Sequence, residues 1–484
     1  MAALKSYWQN YIDGAWCDGG AGRIAVTDPA TGEALAEAAL ADAADIDRAV
    51  AAAARVHGEG TLSAMRPFER GRMVQAIGRA FLARRDEIAE VLTLEQGKPL
   101  WEARLEVEGA AKLFEYYGNQ AATVEGQSIP LGAGYVDYTV YEPYGVTAHI
   151  IPWNYPLDTV ARSLAPALAT GNTAVVKTPE LTPLSSTFFV DAAAEAGFPA
   201  GAVNILSGLG REAGAALAAH PGIGMIVFTG SVASGTAVAH AAAENTVPAV
   251  LELGGKSAAV VHADADLDAF ESDIRYGAFF NAGQVCSALT RVVVDKSIAP
   301  ELTDRAAAIA KSLSLAPGIE LPEAGDTMGP LVSEAQRDKA LAMVSAAEAE
   351  GARVVAGGRR PNRPGAFMEP TILAGVTPDM VIAREEVFGP VLSILEVSSE
   401  AEAIAIANGT GFGLAAGVFT RDLDRASRTA GALKAGQVYV NEWYAGGIET
   451  PFGGYGKSGY GREKGRQALW NYVQTKNVAI RIGR

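Results

Sequence analysis

Short apolar runs broken by Asp13-Gly14 and Asp28-Pro29 open the chain, and this alternation over residues 1–40 predicts extended segments with a hairpin that form a covering edge. From Asp42 to about Gln120 the apolar positions instead recur every three or four residues, over 46–56, 68–94 and 100–117, which predicts packed helices. Period two returns in YVDYTVYEP (135–143), read as a strand pair flanked by glycines and too polar for a core. Between 145 and 254, strands at 146–151, 173–177, 203–206, 225–228 and 250–253 alternate with helices at 157–170, 184–196, 212–220 and 234–243. A second alternating region, 264–441, has helices at 267–280, 301–313, 333–350 and 400–408, with strands at 291–294, 353–355, 391–397, 415–419 and 438–440. Such alternation implies parallel sheets covered by helices on both faces. The final stretch, 471–484, alternates like a strand and is a candidate partner for 135–143, in the same chain or in a symmetry mate. The predicted class is α/β, with two doubly wound parallel-sheet domains and a small β arm.

Doubly wound sheets bind ligands at the carboxyl ends of their strands, and Asn154, Lys177, Glu180, Ser231 and Glu252 each follow or close a predicted strand. A chain of 484 residues implies two or three domains. Forty basic against fifty-five acidic residues leave a net −15, which disfavours nucleic acid and anionic membrane as partners and favours small-molecule chemistry. Cys17 and Cys286 are far apart and lack metal spacing, so neither a disulfide framework nor a metal site is expected. With a polar N-terminus and no run of ~18 uncharged apolar residues, the expected location is the cytoplasm.

FFNAGQVCSA (279–288) sets Cys286 among small and apolar neighbours after a glycine turn, where a thiol can serve as a nucleophile. A lone cysteine is otherwise a small buried hydrophobe. LELGGK (251–256) closes an apolar strand with Glu252 beside a glycine pair; a carboxylate buried there has a raised pKa, suited to a general base. FTGSVASG (228–235) puts a strand end, two glycines and a hydroxyl at a helix start, a seat for pyrophosphate. The looser GLGREA (208–213) reads more simply as a tight turn. In VVKTPE (175–180), Lys177 and Glu180 have the spacing to clasp two ribose hydroxyls, or to form a surface ion pair. PWNYP (152–156) offers the Asn154 amide to a developing oxyanion, or is only a turn.

Together with EEVFGPV (385–391), PFGG (451–454) and SGYGRE (458–463), these segments resemble, in order and over nearly the whole chain, the aldehyde dehydrogenase superfamily. The resemblance implies an NAD-binding domain from 1–123 and 146–253, a catalytic domain from 254–441, an oligomerisation arm from 124–145 and 471–484, and a connection at 442–470 that lines the active site. It implies a homo-oligomer, dimer or tetramer, acting on a small-molecule aldehyde. Cys286 would be the nucleophile, Asn154 with the cysteine N–H the oxyanion donors, and Glu252 the base that hydrolyses a thioester. Relatives that pass the acyl group to coenzyme A usually lack that glutamate. The cofactor seat would comprise Trp153, Lys177, Glu180, Gly230, Ser231, Leu253, Glu386 and Phe388, with NAD favoured over NADP because the Glu180 carboxylate repels a 2′-phosphate. At Tyr455-Gly456-Lys457 the chain departs from the usual pattern, in which lysine follows the aromatic directly.

For substrate the resemblance points to Tyr155, Arg162, Trp443 and Phe452. Arg162 matches a position that holds the distal carboxylate of a semialdehyde in succinate-semialdehyde dehydrogenases, although Phe280 stands where those enzymes have a second arginine. The simpler alternative for Arg162 is an ion pair on a helix surface or between domains. Trp443 and Tyr444, with Glu442 and Glu449, would instead suit an amino- or trimethylammonio-aldehyde. Two readings compete with an oxidoreductase. A cysteine acyl hydrolase or transferase needs a histidine partner, and no motif links His57, His149, His220, His240 or His262 to Cys286. An inactive nucleotide-binding homologue would lack Cys286 or Glu252, and the chain has both.

Overall fold

The structure is a computed structural model that describes residues 4–482. Its organising element is a sheet whose parallel core runs, across the sheet, Ala249–Glu252, Met225–Thr229, Val146–Ile150, Thr173–Thr178 and Val203–Ser207. These strands are buried on both faces and accordingly read as near-continuous apolar runs. The chain enters at Val146–Ile150, winds outward to one edge, then returns to add Met225–Thr229 on the other side of the first strand. The switch point therefore lies between Val146–Ile150 and Met225–Thr229, where their carboxyl ends diverge and leave a crevice.

Antiparallel strands close both edges. Gly459–Tyr460 pairs with Ala249–Glu252. At the far edge, the predicted N-terminal hairpin is Asn10–Ile12 with Ala15–Cys17, joined to Val203–Ser207. Its turn residues Asp13 and Gly14 both have positive φ (52° and 81°), as a two-residue hairpin turn requires.

The helical region packs over this sheet as Ala43–Gly58, Pro67–Ala83, Arg85–Gln96 and Leu100–Gln120. The single helix expected over 68–94 is two. Arg84 leaves helical geometry (φ −106°, ψ 22°), and its guanidinium pairs with Glu87 and Asp191 and lies over the Phe188 ring. No glycine or proline marks that break, so apolar spacing alone could not place it.

The second sheet runs Arg353–Ala356, Thr371–Ala374, Val391–Val397, Arg291–Asp295, Ala258–Val261, Ala415–Phe419 and Gln437–Val440, parallel except for its first strand. Two of these strands, Thr371–Ala374 and Ala258–Val261, were not expected from the sequence. Each has only four residues and is wholly buried, so neither shows the alternation that marks a half-exposed strand.

The segment expected to form its own strand pair is one nine-residue strand, Tyr135–Pro143, antiparallel to Val473–Arg481 in register from Tyr135↔Arg481 to Pro143↔Val473. Its other edge is only touched: Ser128 bridges Tyr138, and Thr139 N–H donates to Gln127 O. Tyr135, Val136, Tyr138 and Ile480 remain exposed on this ribbon.

Candidate active site

At the switch point a cavity of about 200 Å³ opens between the two sheets. Its walls include Trp153, Asn154, Tyr155 and Arg162 from one side, Thr229, Gly230, Ser231, Glu252 and Leu253 from the other, and Cys286, Glu386 and Phe388 from the second sheet's connections.

Cys286 follows a backbone kink. The helix Leu267–Phe279 ends and the chain turns through Asn281 and Ala282, both left-handed (φ 51° and 53°), a conformation that costs non-glycine residues of order 1–2 kcal/mol each. Buried side chains hold the kink. Glu102 accepts the Asn281 N–H at 2.9 Å and Gln96 donates to Asn281 Oδ1 at 2.9 Å. Cys286 itself is half-buried. Burial pushes its thiol up to about 12, and the Glu252 and Glu386 carboxylates add to that, while the Arg162 guanidinium opposes it.

Asn154 sits just past Val146–Ile150 and donates from Nδ2 to Gln284 O at 3.0 Å, so its amide already points at the cysteine loop. Glu252 closes its strand, is 2% exposed, and neither carboxyl oxygen has a hydrogen-bond partner among the described residues. Burial first, then the nearby Glu463 charge, raise its pKa well above the ordinary carboxylate range, against the pull of Arg162 and Arg462. The carboxyl lies over Gly453, where a Cβ would stand 2.7 Å from Glu252 Oε1 and 2.8 Å from the Gly461 carbonyl oxygen, so a larger residue would require a neighbour to shift. A buried carboxyl without protein partners is free to engage water or a reacting group.

On the expected cofactor side, Ser231 caps the helix Val232–Glu244, accepting from Ser234 N–H at 3.2 Å, and so sets the positive end of that helix at the cavity wall. Beside it the Thr229 hydroxyl is buried without a partner among the described residues. Glu386 accepts the Gly255 N–H at 2.9 Å, and burial raises its carboxyl to about 7. The Phe388 ring stands edge-on to Trp153, centroids 5.2 Å apart. Lys177 and Glu180 lie outside this cavity, past the neighbouring strand end. There Lys177 (3% exposed) pairs with Glu180 (39% exposed) at 3.3 Å, and Gly210 lies close enough that a Cβ there would touch Glu180. The pair is thus half-buried rather than a surface bridge, and burial lowers the lysine pKa while Glu180 opposes the shift.

The substrate-side expectations fare unevenly. Tyr155 and Arg162 are in the wall. Arg162, however, pairs with Glu463 at 2.7 Å and Asp158 at 3.5 Å and covers the Phe452 ring at 4.5 Å, so its charge is already neutralised. The Arg162–Glu463 contact is a close charge pair without hydrogen-bond alignment, since Arg162 Nη2 and both Glu463 oxygens lack a bond of proper angle. Phe452 is buried under that guanidinium and is not in the cavity wall. Trp443 is not in the wall either: it is buried in the second core and braces the residue after the cysteine by donating Nε1–H to Ser287 O at 3.2 Å. Nothing in the sequence distinguished this buried bracing position, beside the rings of Tyr439 and Tyr444, from an exposed one in a turn. Gln336 and Lys339, also in the wall, come from a helix 50 residues past the cysteine with no motif around them. Glu463 lay inside a recognised motif, and its contact with Arg162 is visible only in three dimensions.

A parallel-sheet crevice that brings together a thiol, a side-chain amide, an unpartnered buried carboxyl and a helix N-terminus defines the class: the chain belongs to the aldehyde dehydrogenase family, which it matches over residues 16–478. It is an oxidoreductase of the aldehyde group. Among relatives, it is 42% identical over 480 residues to a betaine aldehyde dehydrogenase of Cereibacter sphaeroides (98% of this chain, 97% of that one). It is 41% identical over 482 residues to retinal dehydrogenase 2 of Homo sapiens (98% and 92%). A betaine aldehyde dehydrogenase from Staphylococcus aureus, solved in complex with NAD+, superposes with a TM-score of 0.95 at 34% identity, covering 98% of this chain and 95% of that one. Among the described residues no helix is long and apolar enough to cross a membrane.

Proposed function

We propose that the chain oxidises an aldehyde to a carboxylic acid with NAD+, through a covalent adduct on Cys286 that is released by hydrolysis. The observation that carries this reading is the single cavity shared by Cys286, Asn154, Glu252 and Glu386. Once the Cys286 thiol has lost its proton to water in the open cavity, Sγ adds to the aldehyde carbon, and the oxygen that becomes negative takes hydrogen bonds from Asn154 Nδ2–H and the Cys286 N–H. The cofactor is supported by the solved relative and by fit: the Ser231 helix end, the unpartnered Thr229 hydroxyl and Glu386 line one flank, and Lys177 with Glu180 wait beyond it. When bound, its nicotinamide ring accepts the hydrogen and electron pair that leave the substrate carbon. Glu252, once it has lost its own proton to water, draws a proton from the water that attacks the acyl carbon, and the C–S bond breaks to release Cys286 as a thiolate, which then takes up a proton.

Of the two substrate classes, the aldehyde with an amino or trimethylammonium group is favoured over one with a distal carboxylate. Arg162 is the guanidinium in the wall, and Glu463 and Asp158 already occupy it, while Lys339, the other cation there, lies near the Glu386 carboxyl on the cofactor flank. Betaine aldehyde dehydrogenases, which stand among its relatives alongside a retinal dehydrogenase of similar identity, support this choice. The exposed apolar ribbon of Tyr135–Pro143 and Val473–Arg481 supports association of copies into an oligomer.

A panel of aldehydes followed by NADH absorbance tests the reading. The cationic members should give the higher kcat/KM, and Cys286→Ala should abolish turnover while NAD+ still binds. Substantial turnover by Cys286→Ala would refute the mechanism.

A further inference from the structure

Beneath Asn154 lies a buried polar web that no catalytic step uses. Lys98, fully buried, points its ammonium at three recipients: the Glu106 carboxylate, Asn154 O at 2.9 Å and the Tyr155 ring at 4.1 Å. Glu106 in turn accepts the N–H groups of Leu157 at 2.9 Å and Asp158 at 3.3 Å, the first turn of the helix Pro156–Ala169. Those N–H groups have no partner within the helix, and a carboxylate there is favoured by the helix dipole. One ion pair therefore holds Asn154 from both sides, through its own carbonyl and through the turn that follows it. The same carbonyl also accepts Asn281 Nδ2–H at 3.0 Å, which ties it to the kink before Cys286.

A buried ion pair that served stability alone would gain little over apolar residues of equal volume. This one terminates on a residue whose value depends on placement. We propose that Lys98 and Glu106 are a positioning pair that fixes Asn154 as an oxyanion donor; the inference rests on the reading of Asn154 given above. Neither touches the reacting atoms. Their contribution is the geometry of the amide, and a displacement of about 1 Å in a catalytic group can cost ~10²-fold in rate.

The test is a double-mutant cycle between this pair and Asn154. Replacing both members together, Lys98→Met with Glu106→Gln, leaves no unpaired buried charge, and the carbonyl of the introduced side-chain amide can still accept the helix N–H groups. The rate of the first NADH turnover should fall at least about tenfold, and NAD+ affinity, read by titration of protein fluorescence, should stay within about twofold. In an Asn154→Ala background the same pair of replacements should change the rate by less than about twofold, because the residue they position is gone. Equal losses in both backgrounds, or a loss of NAD+ affinity in step with rate, would overturn the positioning role. Asn154→Ala with an undiminished rate would overturn the oxyanion reading, and this inference with it. Should the double replacement not fold, Glu106→Gln alone enters the same cycle, with a loss of about threefold expected only where Asn154 is present; a loss that persists without Asn154 overturns the proposal.

Discussion

Arg162→Met removes the cation that lies among Glu463, Asp158 and the Phe452 ring while nearly keeping side-chain length. The Asp158 contact is long and half-exposed, so it contributes little. The Glu463 pair is different: its two side chains are almost inaccessible, and removing one member of such a pair costs about 3–5 kcal/mol. Loss of the guanidinium over Phe452 at 4.5 Å is one part of that cost, about 2 kcal/mol for a desolvated contact. The cost should depend on pH in a definite direction. Burial already raises the pKa of Glu463 and of Glu252, and in both cases Arg162 opposes the shift. Without Arg162 both folded-state values rise further above the unfolded ~4.3, so the folded variant binds more protons than either the unfolded chain or the folded parent. Stability of the variant then falls as pH rises, by up to about 1.4 kcal/mol per pH unit for each extra proton held, and the deficit is smallest in acid, where both carboxyls are protonated in either protein. Urea unfolding of parent and variant at pH 5.5 and 8.0 measures this. A deficit that is the same at both pH values, or larger at pH 5.5, would refute the placement of Arg162 as the counter-charge of these two carboxyls.

Glu252→Gln should leave the first NADH turnover largely intact and slow release of the acyl group, so rapid mixing should show about one NADH per site followed by little steady-state rate; burst and steady state falling together would place Glu252 earlier in the reaction. Glu180→Gln should raise kcat/KM with NADP relative to NAD, since it removes the repulsion of a 2′-phosphate while Lys177 remains, and an unchanged ratio would show that Glu180 does not discriminate. With its thiol pushed up to about 12, Cys286 in the cofactor-free protein should be alkylated by iodoacetamide at a rate that still climbs between pH 8 and 10, followed by mass spectrometry of its peptide; a plateau near pH 7 would show a thiolate already formed.

Strand-helix alternation was enough to place the α/β class, because its period is local, and the glycine-bounded motifs in their order carried the resemblance to the family, which in turn pointed to Cys286, Asn154, Glu252, Ser231 and Glu386. Local pattern also fixed the strand character of 135–143 and 473–481. It could not fix their partnership, since a strand's pairing is set by a second segment some 330 residues away. The break at Arg84 escaped because no glycine or proline marks it, and the short strands Ala258–Val261 and Thr371–Ala374 because burial on both faces erases the alternation that a half-exposed element shows. Charge is where tertiary structure decided most. Arg162 read equally well as a substrate anchor or an ion pair until Glu463, three hundred residues on, was found against it, and Trp443 read as a binding surface until it was found buried behind Ser287. Lys98 and Glu106, eight residues apart on a turn and a helix, resemble any solvated pair in sequence, yet both are buried and meet Asn154 and the helix after it. A side chain's chemistry follows from its type, but whether its charge is free, neutralised or aimed at a reacting atom depends on desolvation and on partners that only folding brings within reach.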